Sequence, residues 1–171
     1  MEGEGHFLAL LEKEENGSCP KRKRGKSDKL PKEAEDFLEH CTGLPSGKDY
    51  CYRVQDDRIY MVGTEDSMPD KLRYLRTGLL LGTCKKNRFE PSQALAMALE
   101  RNGFDSCISF SADDGRTIRY LKGETLDVSD LLTSSHKKGW QLVCVDGFPL
   151  GWAKLAGTSL KNKYYAGWRW Q

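Results

Sequence analysis

The chain has 171 residues, 38% of them hydrophobic and 30% charged, with a formal net charge of +2. That composition excludes a fully disordered chain and allows one domain, or two small ones, around a real core. So small a net charge says little about partners, and the distribution of charge along the chain says more.

Residues 3–13 hold one apolar run, Phe7 to Leu11, long enough for a single strand with nothing before it to pair with. It reads as the cut edge of a further domain. Between residues 21 and 29, Lys21, Arg22, Lys23, Arg24, Lys26 and Lys29 stand against Asp28 alone. Residues 14–30 therefore read as a basic, extended linker, serving either as a solvated connection or as an arm that tracks phosphates. Pro31 suits a first helical turn, and Glu33, Glu35 and Asp36 suit the positive end of a helix. Ala34, Phe37, Leu38 and Cys41 follow the spacing of one buried face, and Gly43 is placed to end the element, so a helix is predicted over 31–42.

Residues 50–63, rich in aromatic and β-branched side chains around Asp56-Asp57, read as a β-hairpin. Residues 64–72 read as a loop. A strand is predicted over 78–84, followed by the basic run Lys85 to Phe89. Pro91 and Ser92 then open a helix carrying Ala94, Leu95, Ala98 and Leu99 on one face and ending at Gly103. Ser111, with Asp114 three residues on, resembles an N-cap arrangement for a helix that turns Ile118 and Leu121 inward and stops at Gly123. Residues 140–145 read as a strand, Asp146-Gly147 as a two-residue turn and 148–157 as the return strand, whose two glycines, Gly151 and Gly157, suggest a bulge or bend. Short, bent strands among a few helices point to an α+β chain: a small α/β unit over 31–74 and a mixed barrel over 75–171.

The usual catalytic arrangements are not found. His6, His40 and His136 are far apart, and His40 falls on the exposed side of its helix. No G-x-S-x-G or Walker loop occurs. Cys84 precedes two lysines, which could activate it, but a structural thiol near surface cations is the plainer reading. Asp113-Asp114 is read as capping. The six cysteines form no C-x-x-C pair and, with no leader in residues 1–12 and no run of about 20 apolar residues, fit reduced thiols in a cytoplasmic protein. No catalytic and no metal site is assigned. The strongest functional pattern is basic residues among aromatics: Lys154, Lys161, Lys163 and Arg169 with Trp152, Tyr164, Tyr165, Trp168 and Trp170. Lysines neutralise phosphates and flat side chains stack on unpaired bases. The competing account puts the aromatics in the core and the lysines in solvent, and Trp152 and Tyr164 belong to the core on either account.

At these residues the sequence resembles a known family. The stretch 139–170, and within it D-G-F-P-L-G-W-A-K over Asp146 to Lys154 and L-K-N-K-Y over Leu160 to Tyr164, is similar to the PUA-like C-terminal domain of Sun-type RNA 5-methylcytosine methyltransferases, in their bacterial ribosomal-RNA branch. Residues 75–99 are similar to that family's G-L-x-L-G, basic run and R-F-x-P-S-x-A-L-A. Gly3 to Leu11 resembles the last strand of its methyltransferase domain. Past Asn162 the chain departs from the family's K-N-H-Y-P-K-G: Lys163 replaces the His, Tyr165 the Pro and Ala166 the second Lys.

The resemblance implies a PUA-like barrel over 75–171, and residues 1–13 as a remnant of a catalytic domain lying elsewhere. It implies that this chain alone is no enzyme, holds no cofactor and serves a parent that uses S-adenosylmethionine. The expected partners are that catalytic domain in cis and structured RNA, with ribosomal RNA favoured over transfer RNA. The chain is expected to be a monomer. The candidate RNA contacts are Lys85, Lys86, Arg88, Lys154, Lys161, Asn162 and Lys163. The alternative is a module that braces the catalytic domain with little contact to RNA.

Overall fold

A computed structural model describes residues 26–45, 47–63, 77–134 and 136–171. The strand expected within 3–13, most of the linker and the loop 64–72 lie outside these residues. Helix α1 spans Lys32–Leu38, with Pro31 at its N-cap and Glu33 and Glu35 in its first turn. It is shorter than predicted because residues 103–105 claim its last carbonyl and amide groups. Cys41 bridges to Phe104, the Thr42 amide donates to Gly103 O, and the Asp105 amide donates to His40 O. The linker also ends earlier than expected. The Asp28 amide donates to Tyr52 O, and the Val54 amide donates to the Asp28 carboxylate at 2.9 Å.

β1 (Tyr50–Gln55) and β2 (Arg58–Gly63) form the predicted hairpin, with Asp56 at positive φ in the turn. β3 (Leu79–Lys85) follows, and the basic run proves to be a second hairpin. Asn87, at φ 54°, turns the chain into β4 (Arg88–Pro91). The first sheet is ordered β1-β2-β3-β4 and so joins strands from both sides of residue 75. Helix α2 covers Gln93–Ala98, capped by the Ser92 hydroxyl, which accepts from the Leu95 amide at 2.9 Å. It does not reach Gly103, because Leu99 already has extended backbone.

Four residues, Cys107–Phe110, form β5, which the sequence did not reveal. Helix α3 (Gly115–Leu121) is capped by Asp114 itself and not by Ser111: its carboxylate accepts from the Arg116 amide at 2.8 Å. Ile118 is 43% exposed, against expectation, and Tyr120 takes the inward position. A two-residue β6 (Leu126–Asp127) precedes β7 (Gly139–Val145), β8 (Phe148–Ala156) and β9 (Ser159–Asn162). Asp146 and Gly147 both have positive φ, as a tight two-residue turn requires. β8 carries the expected bulge, since Val143 pairs with Gly151 and Cys144 with Pro149. Gly151 is required there: a Cβ would come within 2.6 Å of the Tyr120 hydroxyl.

The second sheet runs β5-β7-β8-β9-β6, with β5 parallel to β7 and the remaining pairs antiparallel, and it curls into a half-barrel. The chain is α+β, as the element pattern indicated. One core fills the space between the two sheets, α1 and α2, and includes Ile59, Leu81, Phe89, Leu95, Leu142 and Trp152. The other lies on the far face of the second sheet under α3, and includes Ile108, Phe110, Tyr120, Val143, Leu155 and Leu160.

Candidate nucleic-acid interface

Pairing in the second sheet decides which basic residues can act together. Paired residues of antiparallel strands point to the same side of a sheet. Trp140 of β7 pairs with Lys154 of β8, and Lys154 pairs with Lys161 of β9. The three side chains make one row across three strands, on the side of the first core. Lys154 Nζ stands 4.4 Å above the centre of the Trp140 ring, a cation on an aromatic face. Lys163 continues the alternation of Lys161, and its amide donates to Trp152 O at 3.0 Å. Lys161 and Lys163 are exposed and have no ion-pair partner among the described residues.

The β3–β4 hairpin contributes a second basic group. Lys85 Nζ and Arg88 Nη2 grip the two carboxylate oxygens of Glu90 at 3.0 and 3.1 Å. The Lys85 hydrogen bond chiefly, then the charges of Lys85, Arg88 and Lys154, hold the Glu90 carboxyl below its usual range. Lys154 therefore acts on the same carboxylate as the hairpin pair. The structure gathers Lys85 and Arg88 with Lys154, which follows them by 69 and 66 residues, into one field. Lys86, in the turn between them, is exposed.

Asn162 does not join this group. It sits between Lys161 and Lys163 but turns to the opposite side. Its Nδ2 donates to Tyr120 O and its Oδ1 accepts from the Tyr164 amide, both at 2.8 Å. With its amide engaged at both ends, Asn162 holds the chain after β9 against α3. The aromatic tail divides in the same way. Trp152 is fully buried and Tyr164 is partly buried against Tyr120. Tyr165, Trp168 and Trp170 are more than half exposed, and the Trp170 amide donates to Leu121 O, which ties the tail to the end of α3.

Other candidate chemistry is absorbed by the fold. Burial first, then the charges of Glu33 and Asp57, push the Cys84 thiol up, the opposite of the lowering that activates a cysteine. Asp114 caps α3 and also pairs with Arg116, which reaches on to Asp130. No group of three or more His, Cys, Asp or Glu among the described residues could hold a metal. No helix among them is long and apolar enough to cross a membrane. Sequence reasoning missed Trp140, Lys137 and Lys138. The signal it used for the tail, cations beside aromatics, was also present at Lys137-Lys138-Gly139-Trp140.

Two family models match this chain, one on each side of the segment between α2 and β5. The first C-terminal domain of the RsmF rRNA methyltransferase matches residues 36–99, and the PUA domain of methyltransferase RsmF matches residues 107–170. The chain belongs to the RsmF methyltransferase family. A ribosomal RNA small subunit methyltransferase F from Shewanella loihica is 29% identical over 173 aligned positions, covering 95% of this chain and 34% of that protein. One from Shewanella baltica is 27% identical, covering 75% and 26%. One from Shewanella oneidensis is 29% identical, covering 64% and 22%. The chain thus spans about a third or less of the length of these RsmF relatives. Lys85, Lys86 and Arg88 fall in the first RsmF domain and Lys154, Lys161 and Lys163 in the PUA domain, so the basic group draws on both.

Proposed function

We propose that this chain is an RNA-binding region that positions structured RNA, ribosomal RNA of the small subunit in particular, for a methyltransferase domain acting on cytosine C5. The observation that carries the reading is the row Trp140–Lys154–Lys161, with Lys163, Lys85 and Arg88 beside it. Lysines spaced along one face meet successive phosphates, and the aromatic beside them offers a stacking surface to an unpaired base. Lys86 extends the group at the hairpin turn. A monomeric chain presents the whole group without a partner subunit.

The chain is not itself the catalyst in this reading. S-adenosylmethionine finds no fitting cradle among the described residues. The two strand-to-helix junctions, β4 into α2 and β5 into α3, are closed by the chain's own Ser92 and Asp114 side chains. At α3 that side chain is a carboxylate. Cofactor and catalytic residues belong to the rest of the parent enzyme, a cytoplasmic protein on this account.

The test is binding of the chain to small-subunit ribosomal RNA fragments at 50 and 200 mM salt. Three phosphate contacts should cost roughly 20- to 40-fold in affinity over that interval. Lys154→Glu, Lys161→Glu and Lys163→Glu together should abolish binding at 200 mM while the fold persists. Salt-independent binding, or none at low salt, overturns the reading. If the parent enzyme carrying these changes methylates at an undiminished rate, the region braces its catalytic domain instead.

A further inference from the structure

The face that carries Trp140 also holds an open pocket of about 390 Å³ between the end of α1, the turn at residues 104–106 and the segment leading into β7. That volume lies within the range of about 300–1,000 Å³ usual for small-ligand sites. We propose that it receives a single unpaired RNA nucleotide, its base against the aromatic floor, its amino-bearing edge on the His40–Asp105 pair and its phosphate at Lys137 and Lys138. The inference rests on the RNA-binding reading above and adds the nucleotide site to it.

The floor is aromatic and rigid. Phe37 and Phe104 stack with centroids 5.0 Å apart and an interplanar angle of 26°. Both rings rest on the buried Trp152, at 5.4 and 5.2 Å. Trp140 forms a wall, 6.3 Å from Trp152 and edge-on to it. A base in a duplex cannot reach such a surface, so the occupant must be unstacked.

The rim carries a hydrogen-bonding edge. His40 Nδ1 and Asp105 Oδ2 are 2.8 Å apart on side chains 57% and 67% exposed. In the neutral imidazole with Nδ1 donating, Nε2 of His40 and Oδ1 of Asp105 are two acceptors left over by that bond, on side chains that line the pocket. Two acceptors suit an exocyclic amino group, and carboxylates accept from cytosine N4 in direct readout. Adenine, cytosine and guanine carry an amino group and uracil does not.

The cations stand where the nucleotide's phosphate would. Lys137 and Lys138 are exposed and line the pocket. Their segment is fixed from both sides: His136 Nε2 lies 3.1 Å from Cys107 O, and Gln141 Nε2 donates to Lys137 O at 2.8 Å. Lys154, over the Trp140 ring, links the pocket to the lysine row. One RNA strand can therefore cross Lys161 and Lys154 and deliver an extruded nucleotide beside Trp140.

The experiment uses the chain with trinucleotides of uridine bearing a central 2-aminopurine, whose fluorescence falls when it stacks. Saturable quenching is expected, displaced at least tenfold better by unlabelled UAU or UCU than by UUU. Trp140→Ala should weaken binding about 5- to 150-fold, the range one lost stacking contact spans. Asp105→Asn, on an exposed side chain, replaces an acceptor with a donor and should narrow or reverse the discrimination against UUU. Far-ultraviolet circular dichroism confirms that each variant is folded. Absence of quenching, equal displacement by all three competitors, or discrimination unchanged in Asp105→Asn overturns the pocket. If quenching fails while salt-dependent binding to ribosomal RNA fragments persists, only the pocket falls. If both fail, the RNA-binding reading falls with it.

Discussion

The two sides of the β7-β8-β9 sheet are made from alternate residues of the same strands, yet they serve opposite ends. On one side, Trp140, Leu142 and Trp152 meet the aromatic core, and Lys154, Lys161 and Lys163 continue past its edge into solvent. On the other, Val143, Ala153, Leu155 and Leu160 are sealed under α3. The polar groups on that sealed side are turned inward: the Tyr120 hydroxyl donates to Trp152 O, and Asn162 bonds both Tyr120 and Tyr164. Neighbours on β9 therefore differ in kind. Leu160 and Asn162 hold the fold together, and Lys161, with Lys163 just past the strand's end, faces solvent.

The largest test of this contrast is Trp152→Ala. It removes the ring on which the aromatic core is assembled and should cost about 3–5 kcal/mol in denaturant unfolding. Next, Leu160→Ala should cost about 2–5 kcal/mol, while Lys161→Ala, one residue on, should stay within about 0.5 kcal/mol of the parent. Calorimetry of the pair would refute the division if the two lost similar stability. Asn162→Ala should cost about 1–3 kcal/mol by leaving the Tyr164 amide without its acceptor and removing the tie to Tyr120 O, with RNA affinity at low temperature little changed. A large loss of affinity in a fully stable Asn162→Ala protein would move that residue to the ligand side.

A smaller, pH-dependent effect lies on the sealed side, at the N-terminus of α3. Hydrogen bonds from the Arg116 side chain, and then its amide, hold the Asp114 carboxyl below the ordinary range. A depressed carboxylate contributes stability in full above the unfolded value near pH 4, and loses it as pH falls through the lower folded value. Asp114→Asn keeps the cap but loses the charge that pairs with Arg116, so it should unfold up to about 1 kcal/mol more readily at neutral pH, and the difference should shrink toward pH 2. A difference that grew on acidification would mean that folding raises this carboxyl instead of lowering it.

Elements written in local chemistry were legible in the sequence. Pro31 with its acidic first turn started α1, Asp146-Gly147 made the tight turn, and the glycine-bearing return strand carried its bulge. Elements defined by a distant partner were not legible. β5 has four residues and exists because β7 lies parallel to it some thirty residues later. β4 and β9 are short and half polar, so they carry no period that marks a strand. Ile118 and Tyr120 could exchange inward positions on periodicity alone, and the carbonyl of Trp152 settles it by accepting the Tyr120 hydroxyl. Lys154, Lys161 and Lys163 were readable as a basic-aromatic pattern. Their grouping with Lys85 and Arg88, and the meeting of His40 with Asp105, depend on the fold of chain between them.

Trp152 has one more consequence. Its indole N–H donates to Ser92 O at 2.8 Å, and its carbonyl accepts from Tyr120 at 2.8 Å and from the Lys163 amide at 3.0 Å. One residue thus ties the start of α2, the far side of the second sheet and the lysine strand. Neither core can open without breaking contacts of the other, so the described region should unfold as a single cooperative unit. Amide protons of β2 and β8, in different sheets, would then exchange through the same global opening and with matching protection.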